Sequence, residues 1–273
     1  MLYLPQRFVP YLDDLGVQDT CDVANTDVYN FVRRLYKLCF DREPERTGCV
    51  SWSKRLTSGE RNGAMAAYGF FMSAEMTRRD LSNADYVEAL YWALMDHASD
   101  SKGKAYWVEL LDNGVSRKGV LRGFAESAEF TRVCGEYGIT RGNVDRSKLE
   151  QRDLNYGVTK FVARCYTKAL NRKYEVSGLN SWCGKINSSS TKKATAIQVA
   201  RSFLKSAEFQ RRNLSNSAYV DVLYQTFLGH APDSKGKQSW LSKLNSGVSR
   251  DTVMAGFYNS NEFNNIMASY GIK

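Results

Sequence analysis

The chain is written twice. SNADYVEALYWALMDHASDSKGKAYWVELLDNGVSR, beginning at Ser82, returns as SNSAYVDVLYQTFLGHAPDSKGKQSWLSKLNSGVSR, beginning at Ser215. A repeat of this kind is an architecture, because each copy is a supersecondary unit that buries its apolar face against its neighbours. It also sorts the residues: positions that match between copies point to structure, and positions that differ are free to carry function. A finer pattern recurs about every fifty-five residues, giving four repeats in two pairs. FVRRLY at Phe31 aligns with YVEALY at Tyr86, FVARCY at Phe161 and YVDVLY at Tyr219. A loop ending in Gly48, Gly103, Gly178 or Gly236 follows, and then Trp52, Trp107, Trp182 or Trp240. Each repeat closes with Phe70, Phe124, Phe203 or Phe257, then a serine (Ser73, Ser127, Ser206, Ser260) and a glutamate two further on.

These spacings are helical. Val32, Leu35, Tyr36 and Cys39 recur at three and four residues, as do Trp52 and Leu56, which lines one helix face. The GVSR segments at Gly114 and Gly247 combine a left-handed stop with a serine, Ser116 or Ser249, able to cap the next helix. Only four prolines interrupt the chain, and no strand-like alternation persists. The predicted fold is all-α: two tandem helical domains, each of two similar units of three to four short helices.

The arginine-x-proline-acid-x-x-glycine loop (Arg42, Pro44, Glu45, Gly48), the tryptophan four residues later and the closing FxxSxEF resemble the bacterial domain of unknown function 4214. The resemblance covers roughly Asp27 to Ile139 and Tyr156 to Lys273. It departs at His97 and His230, which replace the arginine, and at Tyr174, which replaces the proline. The resemblance implies a secreted or surface protein of the kind found in gut clostridia, with a repeat similar to phycobilisome linker domains. It implies no activity.

The length of 273 residues suits two domains. Residues 27–139 and 156–273 are the predicted domains, 140–155 a polar linker, and 1–26 a segment outside the repeat. That segment lacks a basic stretch followed by an apolar run, so it reads as neither a secretion signal nor a membrane span, and no membrane insertion is expected.

Six cysteines bear on compartment. With Cys39 and Cys49 opposite each other across an antiparallel helix pair, Leu35 and Ser53 lie one turn outward, and the second copy has Cys165 and Cys183 at those equivalents. Both pairs fall on rungs of one hairpin, as a disulfide requires, with α-carbons about 5.5 Å apart. Cys21 and Cys134 are the remaining pair. Three bridges would indicate an extracellular address; the alternative is six buried thiols acting as small apolar residues.

Catalytic chemistry finds little support. Two histidines at matching positions of separate copies indicate no triad, and no CxxC or HxxxH provides a zinc site. Asp96, His97, Asp100 and Ser101 lack the ligand ladder of a calcium loop, and no glycine run cradles a phosphate. No cofactor is expected. Paired carboxylates for glycosidic chemistry depend on distances that spacing does not fix. The recurring Glu75, Glu129, Glu208 and Glu262 have a simpler account as first-turn acids beside a serine cap. Arg42, Arg172, His97 and His230 each precede an acid by three residues (Glu45, Glu175, Asp100, Asp233), which reads as an ion-paired turn.

Function is then expected where one copy is unusual. Trp92 stands where the others have Lys37, Thr167 and Gln225; Tyr106 replaces Ser51, Ser181 and Ser239; Tyr174 stands beside Pro44, Ser99 and Pro232. Three polar copies imply a solvated position, so the aromatics are predicted to be exposed recognition residues. A net charge of +9 favours acidic partners, and Arg78 and Arg79 recur as Arg211 and Arg212, two potential basic spots. No nucleic-acid motif is present and no nucleic acid is expected. The expected role is a non-catalytic, secreted or cell-surface module that recognises a glycan or cell-wall polymer, with binding to a host or bacterial surface protein as the alternative.

Overall fold

The computed structural model describes residues 26–273. All of its regular structure is helical, and each repeat contributes four helices. The first holds α1 (Thr26–Phe40), α2 (Arg46–Thr57), α3 (Gly63–Phe71) and α4 (Ala74–Arg78); the second holds α5 (Asn83–Leu90), α6 (Ser101–Asp112), α7 (Arg117–Ala125) and α8 (Ala128–Glu136). After a short α9 (Gln151–Leu154) come α10 (Tyr156–Arg164), α11 (Val176–Asn187), α12 (Lys192–Leu204) and α13 (Ala207–Gln210), and then α14 (Asn216–Leu223), α15 (Ser234–Asn245), α16 (Arg250–Tyr258) and α17 (Asn261–Ser269). Helices α5, α10 and α14 run on into single π-helical turns, Tyr91–Met95, Cys165–Ala169 and Tyr224–Leu228.

Helix ends follow from local chemistry. Ser73, Ser127, Ser206 and Ser260 each accept a hydrogen bond from the amide three residues on, satisfying a donor that the first turn leaves orphaned. The opening helix of each repeat stops at a residue with positive φ: Asp41, Asp96, Asn171 and Gly229. Aspartate and asparagine tolerate this left-handed state better than other side chains, which explains their place there. Gly114 and Gly247 are left-handed as expected. Ser249 caps α16, whereas Ser116 gives its N–H and its hydroxyl to the fully buried Asp153, both at 2.8 Å.

Arginines close other helix ends from a distance. Arg79 donates to the Leu38 and Cys39 carbonyls, and Arg212 to those of Lys168 and Ala169, so one arginine of each basic pair is engaged with a helix C-terminus. Arg164 is buried and donates to the carbonyls of Thr226 and Phe227 and to the Tyr270 hydroxyl. Its equivalent Arg34 instead meets the Asp96 carboxylate at 2.7 Å. The difference has a steric cause: at Gly229, the position of Asp96, a side chain would collide with the Arg164 guanidinium.

The described chain forms two compact units, one of residues up to 112 with 117–149, the other of 113–116 with 150–273. The second packs Val158, Phe161, Leu179, Val199, Phe227 and Phe263 into one core. The polar stretch 140–155 is ordered: the Thr140 and Arg141 carbonyls accept from the Gly63 and Ala64 amides at the start of α3, and Val144 is buried.

The cysteine reading needs correction. Cys39, Cys49, Cys134, Cys165 and Cys183 are buried free thiols, so neither Cys39 with Cys49 nor Cys165 with Cys183 is bridged. Equal height along a hairpin is not enough for a bridge, since the direction of each thiol also decides: Cys183 lies against the Thr159 hydroxyl at 3.7 Å. Cys134 packs over Gly63, and its expected partner Cys21 lies outside the described residues. Burial pushes the thiols of Cys134 and Cys165 up to about 12 and that of Cys183 up to about 11, so they stay protonated and pack as small apolar groups.

Candidate functional site

One polar assembly is built four times. In the first and third repeats an arginine after the opening helix clamps the first-turn glutamate of the closing helix. Arg42 bonds Glu75 through Nε and Nη2 and Glu45 through Nη1; Arg172 does the same with Glu208 and Glu175. In the second and fourth repeats histidine takes over. His97 directs Nε2 to Glu129 at 2.7 Å and Nδ1 to the Ala98 carbonyl at 2.6 Å, and His230 contacts Glu262 and Ala231 in the same way. The expected pairing with the acid three residues on holds for the arginines. It fails for the histidines, because Asp100 and Asp233 are used to cap the following helices. The glutamates hold two posts, as first-turn acids and as clamps.

A tyrosine and a tryptophan complete each assembly. The Tyr36, Tyr91, Tyr166 and Tyr224 hydroxyls press on Gly48, Gly103, Gly178 and Gly236, where any Cβ would overlap them. The indoles of Trp107, Trp182 and Trp240 lie beside the last three of these hydroxyls. Each tryptophan also packs on the closing phenylalanine. Fourfold recurrence with mutual satisfaction makes this assembly architectural.

The third repeat breaks the pattern at one atom. Before the closing phenylalanine the others have Gly69, Gly123 and Gly256, and there the tryptophan ring rests on the bare glycine. A Cβ at Gly69 would stand 3.0 Å from Trp52, and at Gly123 and Gly256 it would overlap the rings of Trp107 and Trp240. The third repeat has Ser202. There the Trp182–Phe203 centroids are 5.5 Å apart and inclined at 50°, against 5.2, 4.8 and 5.1 Å and 43, 39 and 29° elsewhere. A cleft of about 160 Å³ lies here, lined by Tyr166, Leu170, Arg172, Trp182, Ser202, Phe203, Ser206 and Glu208. Its mouth carries the Arg172–Glu208 pair, and Lys185 lies 5.4 Å from the Trp182 ring.

The aromatics singled out from sequence behave differently from one another. Tyr106 is half exposed and meets Trp107 edge-on at 5.1 Å. Tyr174 is half-buried against the core of its own unit. Trp92 is buried, at 9% exposure, contrary to expectation. At that position Thr167 is exposed, Gln225 is partly exposed and Lys37 is paired with Glu43, but an indole gains by lying down on the protein, so polarity in three copies does not forecast the fourth. Its Nε1 makes no hydrogen bond to protein. Trp92 and Tyr106 thus share no exposed surface, and neither they nor Tyr174 line the cleft. The cleft residues had a sequence signal: the serine in a column otherwise glycine. Among the described residues no cluster of three or more metal-ligating side chains occurs, and no helix is long and apolar enough to cross a membrane.

No curated protein matches the chain. The family model described as Domain of unknown function (DUF4214) matches residues 19–79, 67–134 and 200–267. These matches span the glycine, the tryptophan and the capped closing helix of the first, second and fourth repeats, and the chain belongs to the DUF4214 family.

Proposed function

We propose that the protein is a non-catalytic recognition module, secreted or displayed at a cell surface, that binds a glycan or cell-wall polymer. The supporting observation is the cleft of the third repeat. It is an aromatic-walled hollow with a guanidinium and a carboxylate at its mouth, in the one repeat where glycine gives way to Ser202. Such a mixture of apolar faces and a few oriented polar groups is the usual make-up of small-ligand sites. Glu208 and Glu175 both accept from Arg172, which occupies them as anchoring rather than proton-transfer groups. The reading of a surface location rests on the family resemblance to secreted clostridial proteins.

A protein partner is the second reading, favoured by the exposed apolar side chains of Leu154 and Val176 and by the likeness of the repeat to phycobilisome linker domains. A glycan array of mucin, plant and bacterial-wall structures separates the two. Glycan recognition predicts binding to one class of structure that is lost in Trp182→Ala with the helical content unchanged. Silence of the wild-type chain across the array overturns it and leaves the protein partner.

A further inference from the structure

Building on the glycan reading, we infer that the third-repeat cleft is a subsite for a single neutral pyranose ring, and that the Cβ of Ser202 is what opens it. Size sets the first limit. About 160 Å³ is well below the roughly 300–1,000 Å³ of sites that enclose drug-sized ligands. One ring or one chain end enters, not an oligosaccharide.

Charge sets the second. Arg172 pairs with Glu208 at the mouth and with Glu175 beside it, and Lys185 lies over the Trp182 ring, so two cations and two anions balance around the cleft. An anionic ligand would face two carboxylates at close range, and a cationic one would face the guanidinium and, on the tryptophan side, Lys185. A neutral polyol avoids both penalties. The carboxylate oxygens of Glu208 each retain a lone pair beyond the bond to Arg172, and they can accept from adjacent ring hydroxyls. The partly exposed Trp182 ring supplies apolar surface for the C–H face of the sugar.

The role of Ser202 is steric. Its hydroxyl is turned back to the Gln198 carbonyl at 2.9 Å, so the side chain acts through its bulk. Glycine at this position brings the tryptophan ring down onto the helix, as at Gly123 and Gly256.

The test uses the full chain labelled with 15N. The Trp182 indole resonance is followed while methyl glucoside, methyl galactoside and methyl N-acetylglucosaminide are added, with methyl glucuronide and choline as charged comparators. The expected result is a millimolar shift with at least one neutral pyranoside and none with the charged probes. Ser202→Gly should weaken it by ~10-fold or more, a change of about 1.4 kcal/mol. Ser202→Ala, which keeps the Cβ, should bind like wild type. Because glycine is native to the other three repeats, Ser202→Gly is expected to fold, and circular dichroism checks this. Failure of every neutral pyranoside to move Trp182, or undiminished binding by Ser202→Gly, overturns the subsite. Binding of a neutral glycan on the array that persists in Ser202→Gly would overturn it too, while leaving glycan recognition standing at another surface. A wild-type chain silent on the array removes both.

Discussion

Glycine has opposite consequences at two places in this chain, and the reason is what lies over the α-carbon. At Gly103 the Tyr91 hydroxyl and the Asp100 carboxylate occupy the space of a Cβ. Gly103→Ala must push both aside. The expected loss is about 1–3 kcal/mol, the usual cost of overpacking, read as a lower urea midpoint. At Gly135, inside α8, nothing lies within 4 Å of the added atom. Gly135→Ala should raise the same midpoint by about 0.4–1 kcal/mol, since it mainly restricts the unfolded chain. The sequence showed Gly103 as one of a column of glycines but not what pressed on it. It showed the cysteines as rungs but not which way each thiol turns. In both cases the deciding atom belongs to a residue far along the chain, where local periodicity carries no information.

The closing clamp brings titration to the level of helices. Both ring nitrogens of His97 and His230 face acceptors, a carbonyl and a carboxylate, and only the imidazolium can donate to both. The backbone carbonyls of Ala98 and Ala231 and then the Glu129 and Glu262 carboxylates raise both histidines above the ordinary imidazole range, with Arg132 opposing this at His97 and Asp233 aiding it at His230. A raised folded-state value means that the stabilisation is complete below the unfolded value, near pH 6.5, and is lost as pH rises through the folded one. Because these side chains are nearly half exposed, each is expected to contribute only about 0.2–1 kcal/mol. Urea midpoints should therefore fall between about pH 6 and pH 8. The double variant His97→Arg, His230→Arg, which installs the residue used by the other repeats, should flatten that slope. A slope unchanged by the double variant would place the titration elsewhere. The helices themselves were legible, because apolar spacing and serine caps act within a turn or two. The π-helical turns and the arginines that close distant helix ends were not, since each depends on a partner tens of residues away.

The whole molecule carries +9, and this charge and the cleft make different demands on a ligand. A net field attracts anions from a distance and is screened over roughly 10 Å at 0.1 M salt. The cleft compensates its own charges locally, Arg172 lying within 2.6 Å of both Glu208 and Glu175. If a neutral ring enters it, the affinity has no long-range electrostatic part. Raising sodium chloride from about 50 to about 500 mM shortens the screening length severalfold, yet the pyranoside titration at Trp182 should move by less than about 2-fold. Retention of the same chain on an anionic wall polymer should fall steeply over that range and should be insensitive to Ser202→Gly. A pyranoside affinity that collapses with salt would mean that the ligand is held by the field of the molecule and not by the hollow under Trp182. The combination of weak salt-independent recognition of one ring with salt-dependent attraction to an acidic matrix is what a basic repeat protein with an opened, charge-compensated cleft should display.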